Sequence, residues 1–110
     1  MITKGLMWSL VLAVAFVFST SFAEEKADAK KLFDNHCKKC HGELGKPTER
    51  GQSLKAPDFT DRKFQEAITD AQIRASINNG KNKMPSWKDI LSPEEMEAVA
   101  KWVRVFKPRR

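Results

Sequence analysis

The side chains best able to do chemistry in this chain are crowded into one stretch, His36-Cys37-Lys38-Lys39-Cys40-His41-Gly42. It holds the only two cysteines and the only two histidines of the 110 residues. Three chemistries use these residue types: a redox disulfide, a bound metal ion, or a covalently held cofactor. A C-x-x-C redox pair belongs in a βαβ setting. A structural zinc site needs four ligands, usually in two separated pairs. The third possibility rests on the order Cys37-x-x-Cys40-His41, the attachment signature of a c-type haem. Two thiols three residues apart lie on one side of a helical turn and can each add to a vinyl group of one porphyrin. His41 is then carried over the ring, where its imidazole can bind iron.

The elements around this stretch decide among the three. Ala29, Leu32, Phe33, His36 and Cys37 fall on one helical face, predicting a helix over Ala29–Lys39. Gly42–Pro57 has three glycines and two prolines and reads as a loop. A loop of that length is unusual in a compact domain unless it serves a function. A short helix is expected from about Arg62 to Ile68, capped by Asp61 or Thr60. Thr69 with Gln72 forms the capping box of a helix running to Asn79, and Gly80 stops it. Lys81–Leu91 reads as a loop. Ser92, Pro93 and Glu95 open a last helix, followed by Met96, Val99, Ala100, Val103 and Phe106 at helical spacing and ended by Pro108. The alternation in "WVRVF" has no second strand-like run to pair with. The expected fold is therefore all-α, three to five helices joined by long loops. With no strand and no second ligand pair, the redox and zinc readings fall away. His36 reads as a partly exposed surface histidine.

Met1–Ala23 has the plan of a secretory signal peptide: Lys4, an apolar run over Leu6–Phe18 broken only by Ser9, and a small-residue cleavage site at Ser21 and Ala23. The run is short for a spanning helix; an uncleaved anchor facing the periplasm is the alternative. Cleavage leaves 24–110 as one domain of 87 residues, near the limit at which an apolar core suffices alone. A disulfide across two intervening residues closes too small a loop to help much. A tetrapyrrole would supply several hundred Å² of apolar surface, at roughly 25 cal/mol per Å². Loss of Lys4 takes the net charge from +6 to +5. An exported basic domain suggests acidic protein partners or anionic surfaces; no nucleic-acid-binding motif is present.

Of the two methionines outside the leader, Met96 belongs to the apolar stripe of the last helix. Met84 lies outside any periodic pattern, in "GKNKMPSW". Pro85 restricts it to extended backbone, which suits a rigid loop holding a thioether over a metal.

The chain resembles the small monohaem class I cytochromes c over nearly all of 24–110. Phe33 four residues before Cys37, "CKKCHG", "INNGKNKMPSW" and "LSPEEMEAVAKWVRVF" carry the resemblance. It implies an all-α cytochrome c-like domain wrapped around one covalent haem c, with Cys37 and Cys40 as thioether donors and His41 and Met84 as axial ligands. It implies that Ala29 and Phe33 cross Val99, Trp102 and Val103, and that a loop proline carbonyl, Pro57 or else Pro47, accepts from His41. Trp87 and Arg62 become candidates to lie near the propionates. With both axial positions filled, the implied function is electron transfer between exported or membrane-bound redox partners, not enzymatic turnover. Lys38, Lys39, Lys46, Lys55, Lys81, Lys83 and Lys88 flank the haem-bearing segments and would steer an acidic partner to a periplasmic, monomeric carrier. The terminal "KPRR" reads as a mobile basic tail. The alternatives are a haem c subunit of a larger oxidoreductase complex, or a ligand-binding or peroxidatic haem protein.

Overall fold

The computed structural model describes residues 13–15 and 21–109. Most of the expected signal peptide, 1–23, lies outside the described residues. The described chain is all-α: α1 (Ser21–His36), α2 (Lys38–His41), α3 (Glu49–Ser53), α4 (Arg62–Ala67), α5 (Asp70–Asn79) and α6 (Pro93–Val103), closed by a 3₁₀ turn over Arg104–Phe106. The expected three to five helices become six because two single-turn pieces count as helices. No described helix is long and apolar enough to cross a membrane.

α1 begins earlier than its apolar periodicity. The stretch before Ala29 is rich in Glu, Lys and Ala, which favour helix without needing a buried face. The helix expected to run through Lys39 is interrupted at Cys37, with φ −114° and ψ −33°. The hydrogen bonds continue across it: Cys37 N–H donates to Phe33 O at 2.8 Å and His41 N–H donates to Cys37 O at 2.9 Å. The interruption therefore reorients the turn bearing Cys40 and His41, and Cys40 N–H turns to Cys37 O at 3.2 Å, an i→i−3 bond, in place of His36 O.

α1 packs most extensively on α6. Ala29, Phe33, Val99 and Val103 are buried there, and Trp102 packs partly buried against the same cluster. The expected crossing is the main helix–helix contact. Ile73 and Ile77 bring the inner face of α5 to it, and Leu91 closes it from the following loop.

Both expected capping boxes form. Thr69 accepts from Gln72 N–H while Gln72 Oε1 accepts from Thr69 N–H, and Ser92 and Glu95 do the same at α6. α4 is capped by Asp61, not Thr60. The Ser92→Ala protein should lose about 1 kcal/mol. In a domain this size that lowers the melting temperature by about 4–8 °C, readable by thermal circular dichroism.

α6 gives way to the 3₁₀ turn at Arg104, and Lys107 is extended ahead of Pro108, as a residue before proline prefers. The basic tail is tied back where Lys107 N–H donates to Arg104 O at 3.1 Å and the Arg62 guanidinium donates to Arg109 O at 3.4 Å.

Gln65 is the only buried polar side chain of the described core, 3% exposed. Its Nε2 donates to Phe59 O at 2.8 Å and to Val103 O at 2.9 Å, and its Oε1 accepts from Arg104 at 3.0 Å. Arg104 also donates to Gln65 O and Ile68 O and pairs with Asp70. One arginine and one amide thus tie the α4–α5 corner to the end of α6.

Candidate haem site

The stretch Gly42–Pro57, expected to be loop, folds back as a clamp on the cysteine–histidine turn. Thr48 starts α3 by accepting from Gly51 N–H at 3.2 Å. Its hydroxyl donates to Lys39 O at 2.6 Å, and its N–H donates to Cys40 O at 3.0 Å. These bonds satisfy carbonyls that the end of α2 would leave unpaired. Gly51 sits directly under that turn. A Cβ on it would collide with the Cys40 carbonyl oxygen. The five-residue helix escapes sequence reading because it carries no apolar period and is too short to form without its tertiary contacts.

The segment bearing Met84 is a tongue stitched to the end of α5. Lys81 and Met84 exchange both backbone hydrogen bonds, 3.1 and 2.9 Å, across a two-residue turn. Asn82 takes a positive φ of 54° there, a conformation Asn tolerates better than most residues. Ser86 Oγ donates to Asn78 O at 2.5 Å, and Trp87 N–H donates to Ile77 O at 2.9 Å. Gly80, at φ 78°, lets the tongue press close. A Cβ on it would lie 2.7 Å from Met84 O and 2.9 Å from Ser86 N. The rigid loop expected around Met84 is therefore built from backbone bonds on both of its arms.

Cys37, Cys40, His41 and Met84 all line one cavity of about 470 Å³, within the usual range for a ligand pocket. Its walls are mostly apolar, with Phe33, Phe64, Ile73, Ile77, Val99 and Val103 among them. Cys37 and Cys40 do not pair in a disulfide. Burial, with a smaller push from Cys40, raises the Cys37 thiol to about 12. That is opposite to the lowered pKa of an attacking redox cysteine. Among the described residues no group of three or more His, Cys, Asp or Glu side chains converges as a metal cage.

His41 is held flat against Phe59, ring centroids 4.5 Å apart and planes 16° apart. Burial lowers its pKa below the ordinary histidine value. That favours the neutral imidazole, the form that ligates metals. Its Nδ1 is buried with no hydrogen-bond partner. The expected bond to a proline carbonyl is thus absent. Pro57 lines the cavity, while the Pro47 carbonyl is taken by Gln52. Two thiols, a neutral imidazole and a thioether around one apolar cavity form the donor set a covalent haem requires, so the residues present fit that group.

Other expected residues divide. Trp87 lines the cavity, but Arg62 does not; it reaches Arg109 instead. His36 is partly exposed, as expected, and its ring lies 5.4 Å from Trp87 at the cavity edge. Of the seven flanking lysines, Lys39, Lys55, Lys81 and Lys83 line the cavity and Lys38, Lys46 and Lys88 do not. Arg50, not singled out from the sequence, joins them. All five lining cations are exposed, and no carboxylate lines the cavity with them. Phe59, which lines the cavity, was also not legible as a site residue. Its signal, one aromatic in a loop, is common to many surfaces.

A family model described as cytochrome C oxidase, cbb3-type, subunit III matches residues 24–103. The chain is 35% identical over 81 residues to cytochrome c6 of Cladophora glomerata, covering 74% of this chain and 88% of that one. It is 31% identical over 80 residues to the cbb3-type cytochrome c oxidase subunit FixP of Bradyrhizobium diazoefficiens, covering 72% of this chain but 27% of that longer protein. Among solved structures, the KustC0563 c-type cytochrome superposes with a TM-score of 0.71 at 41% identity, over 74% of this chain and 99% of that one.

Proposed function

The chain belongs to the c-type cytochromes, and from that premise we propose that its haem is bonded to Cys37 and Cys40 and its iron is held by His41 and Met84. Membership brings a covalently bound haem c and the role of an electron carrier, not an enzyme. The observation that carries the residue assignments is the shared cavity: the thiols and imidazole enter it from the α1–α2 turn and the thioether from the tongue after α5.

When bound, the haem supplies a one-electron Fe(III)/Fe(II) couple. The chain supplies the rest. Cys37 and Cys40 keep the cofactor from leaving. His41 stays neutral and able to ligate. Met84, a soft ligand, favours Fe(II) and so a high potential. The apolar walls exclude water, and a site closed on both faces leaves no position for substrate.

The five exposed cations at the cavity support docking of an acidic redox partner against the haem edge. Opposite charges raise encounter rates in a way that salt screens. The signal-like segment supports a periplasmic location, with a retained anchor facing the periplasm as the alternative. An optical redox titration should show one reversible one-electron wave from a low-spin haem. The rate of reduction or oxidation by an acidic partner should fall steadily with ionic strength. A rate indifferent to salt would remove the docking face and leave the carrier role intact.

The family model's description and the match to FixP favour one second reading, a haem subunit of a larger oxidase. The exported protein purifying only within a complex would select that reading; a free monomer selects the shuttle.

A further inference from the structure

Among the described residues, every hydrogen bond of the tongue carrying Met84 stays within it or goes to α5. Lys81 pairs with Met84, Ser86 Oγ donates to Asn78 O, and Trp87 N–H donates to Ile77 O. Nothing of this kind ties the tongue to α1, the helix on the other side of the cavity. One side-chain contact does. The ring of His36 lies against the indole of Trp87, centroids 5.4 Å apart and planes at 55°, inside the roughly 4.5–7 Å range of aromatic pairs. Both residues line the cavity. Trp87 is also the anchor of the tongue's far arm. Its carbonyl accepts from Ile90 N–H at 3.0 Å and from Leu91 N–H at 2.8 Å, and Leu91 is buried in the core. The His36 side chain, by contrast, has no hydrogen bond or ion pair among the described residues, so the contact with Trp87 is its structural tie.

We propose that His36 is a positioning residue for Met84: its ring, packed on Trp87, latches the tongue to α1 and keeps the thioether over the cavity. The inference rests on Met84 being the sixth ligand. Pro85 fixes one backbone dihedral between Met84 and Trp87, so a displacement of the thioether is passed along the arm to the indole. The residue before Cys37 thus connects the segment that holds one face of the haem to the segment that closes the other.

Imidazole added to the oxidised holoprotein reads the latch, because it binds only an iron whose thioether has moved away. His36→Ala should speed that binding roughly 3- to 10-fold, the worth of one aromatic pair. His36→Gln, which has no ring, should do the same, and His36→Phe, which restores one, should return the original rate. In a double-mutant cycle, His36→Ala should add nothing to the acceleration by Trp87→Leu. Ser92→Ala weakens the domain at α6, away from the tongue, and should leave the rate unchanged. Folded His36→Ala and His36→Gln proteins that bind imidazole at the original rate overturn the inference. So does full additivity with Trp87→Leu, or an equal acceleration by Ser92→Ala, which would mark a general loss of stability. The thioether-to-iron charge-transfer band of the oxidised, unsubstituted protein reports the ligand assignment separately. Its absence overturns that assignment and this inference together, whereas unchanged rates in a protein that has the band overturn only this inference.

Discussion

Met84→Ala should open the sixth position of the iron. The reduced variant then binds carbon monoxide rapidly and stoichiometrically, and the oxidised variant loses its thioether-to-iron charge-transfer band. The potential should also fall, by a fraction of the roughly 0.8 V range over which axial ligands set haem potentials. The physical reason is the tongue. Its backbone bonds run from Lys81 to Met84 and from Trp87 to Ile77, and none passes through the Met84 side chain. Truncation should therefore leave the loop standing and remove only the sulfur. Met96 cannot replace it. That residue packs against the core from α6 and does not line the cavity. A Met84→Ala protein with an unchanged spectrum would show that the sixth ligand lies elsewhere.

Replacing both thiols, Cys37→Ala with Cys40→Ala, should make the haem extractable by acidic organic solvent and should destabilise the domain severely. A dry cavity of about 470 Å³ would cost on the order of 11 kcal/mol at roughly 24 cal/mol per Å³. Water entering through the open mouth reduces that cost. Even part of it consumes most of the roughly 5–15 kcal/mol that stabilises an ordinary domain. The chain without its haem should thus keep much of its far-ultraviolet circular dichroism, lose the near-ultraviolet signal and bind hydrophobic dyes. Single replacements should leave one thioether and a haem that resists extraction. A double variant that retains its haem under acid extraction would contradict the covalent assignment to these two residues.

The parts legible in the sequence are those whose signal is local. The boxes at Thr69 and Ser92 are complete within four residues, so α5 and α6 begin where their capping residues predict. The apolar face of Ala29, Phe33 and Cys37 announces the crossing with α6 because periodicity survives without knowledge of the partner. The haem motif is compact, and Met84 stands out because it interrupts a polar loop. What stayed hidden depends on contacts between distant segments. α3 exists because Thr48 and Gly51 meet the carbonyls of Lys39 and Cys40. Arg62 and Arg50 look alike in sequence, yet only Arg50 reaches the cavity, because α3 folds back on α2 while α4 turns Phe64 to the cavity and Arg62 to Arg109. His36 reads from the sequence as a partly exposed surface histidine, and it is one. Its contact with Trp87 appears only once the tongue is laid against α1. His41 Nδ1 has no hydrogen-bond partner in the structure, and the stacking of Phe59 on its ring joins residues 18 apart, which no local signal announces.

The central claim is an iron closed on both faces by His41 and Met84, and carbon monoxide tests it most directly. Added to the reduced, unsubstituted protein at neutral pH, it should leave the spectrum unchanged, because no coordination position is open. Rapid stoichiometric binding without denaturation would contradict the claim and place the chain among ligand-binding haem proteins.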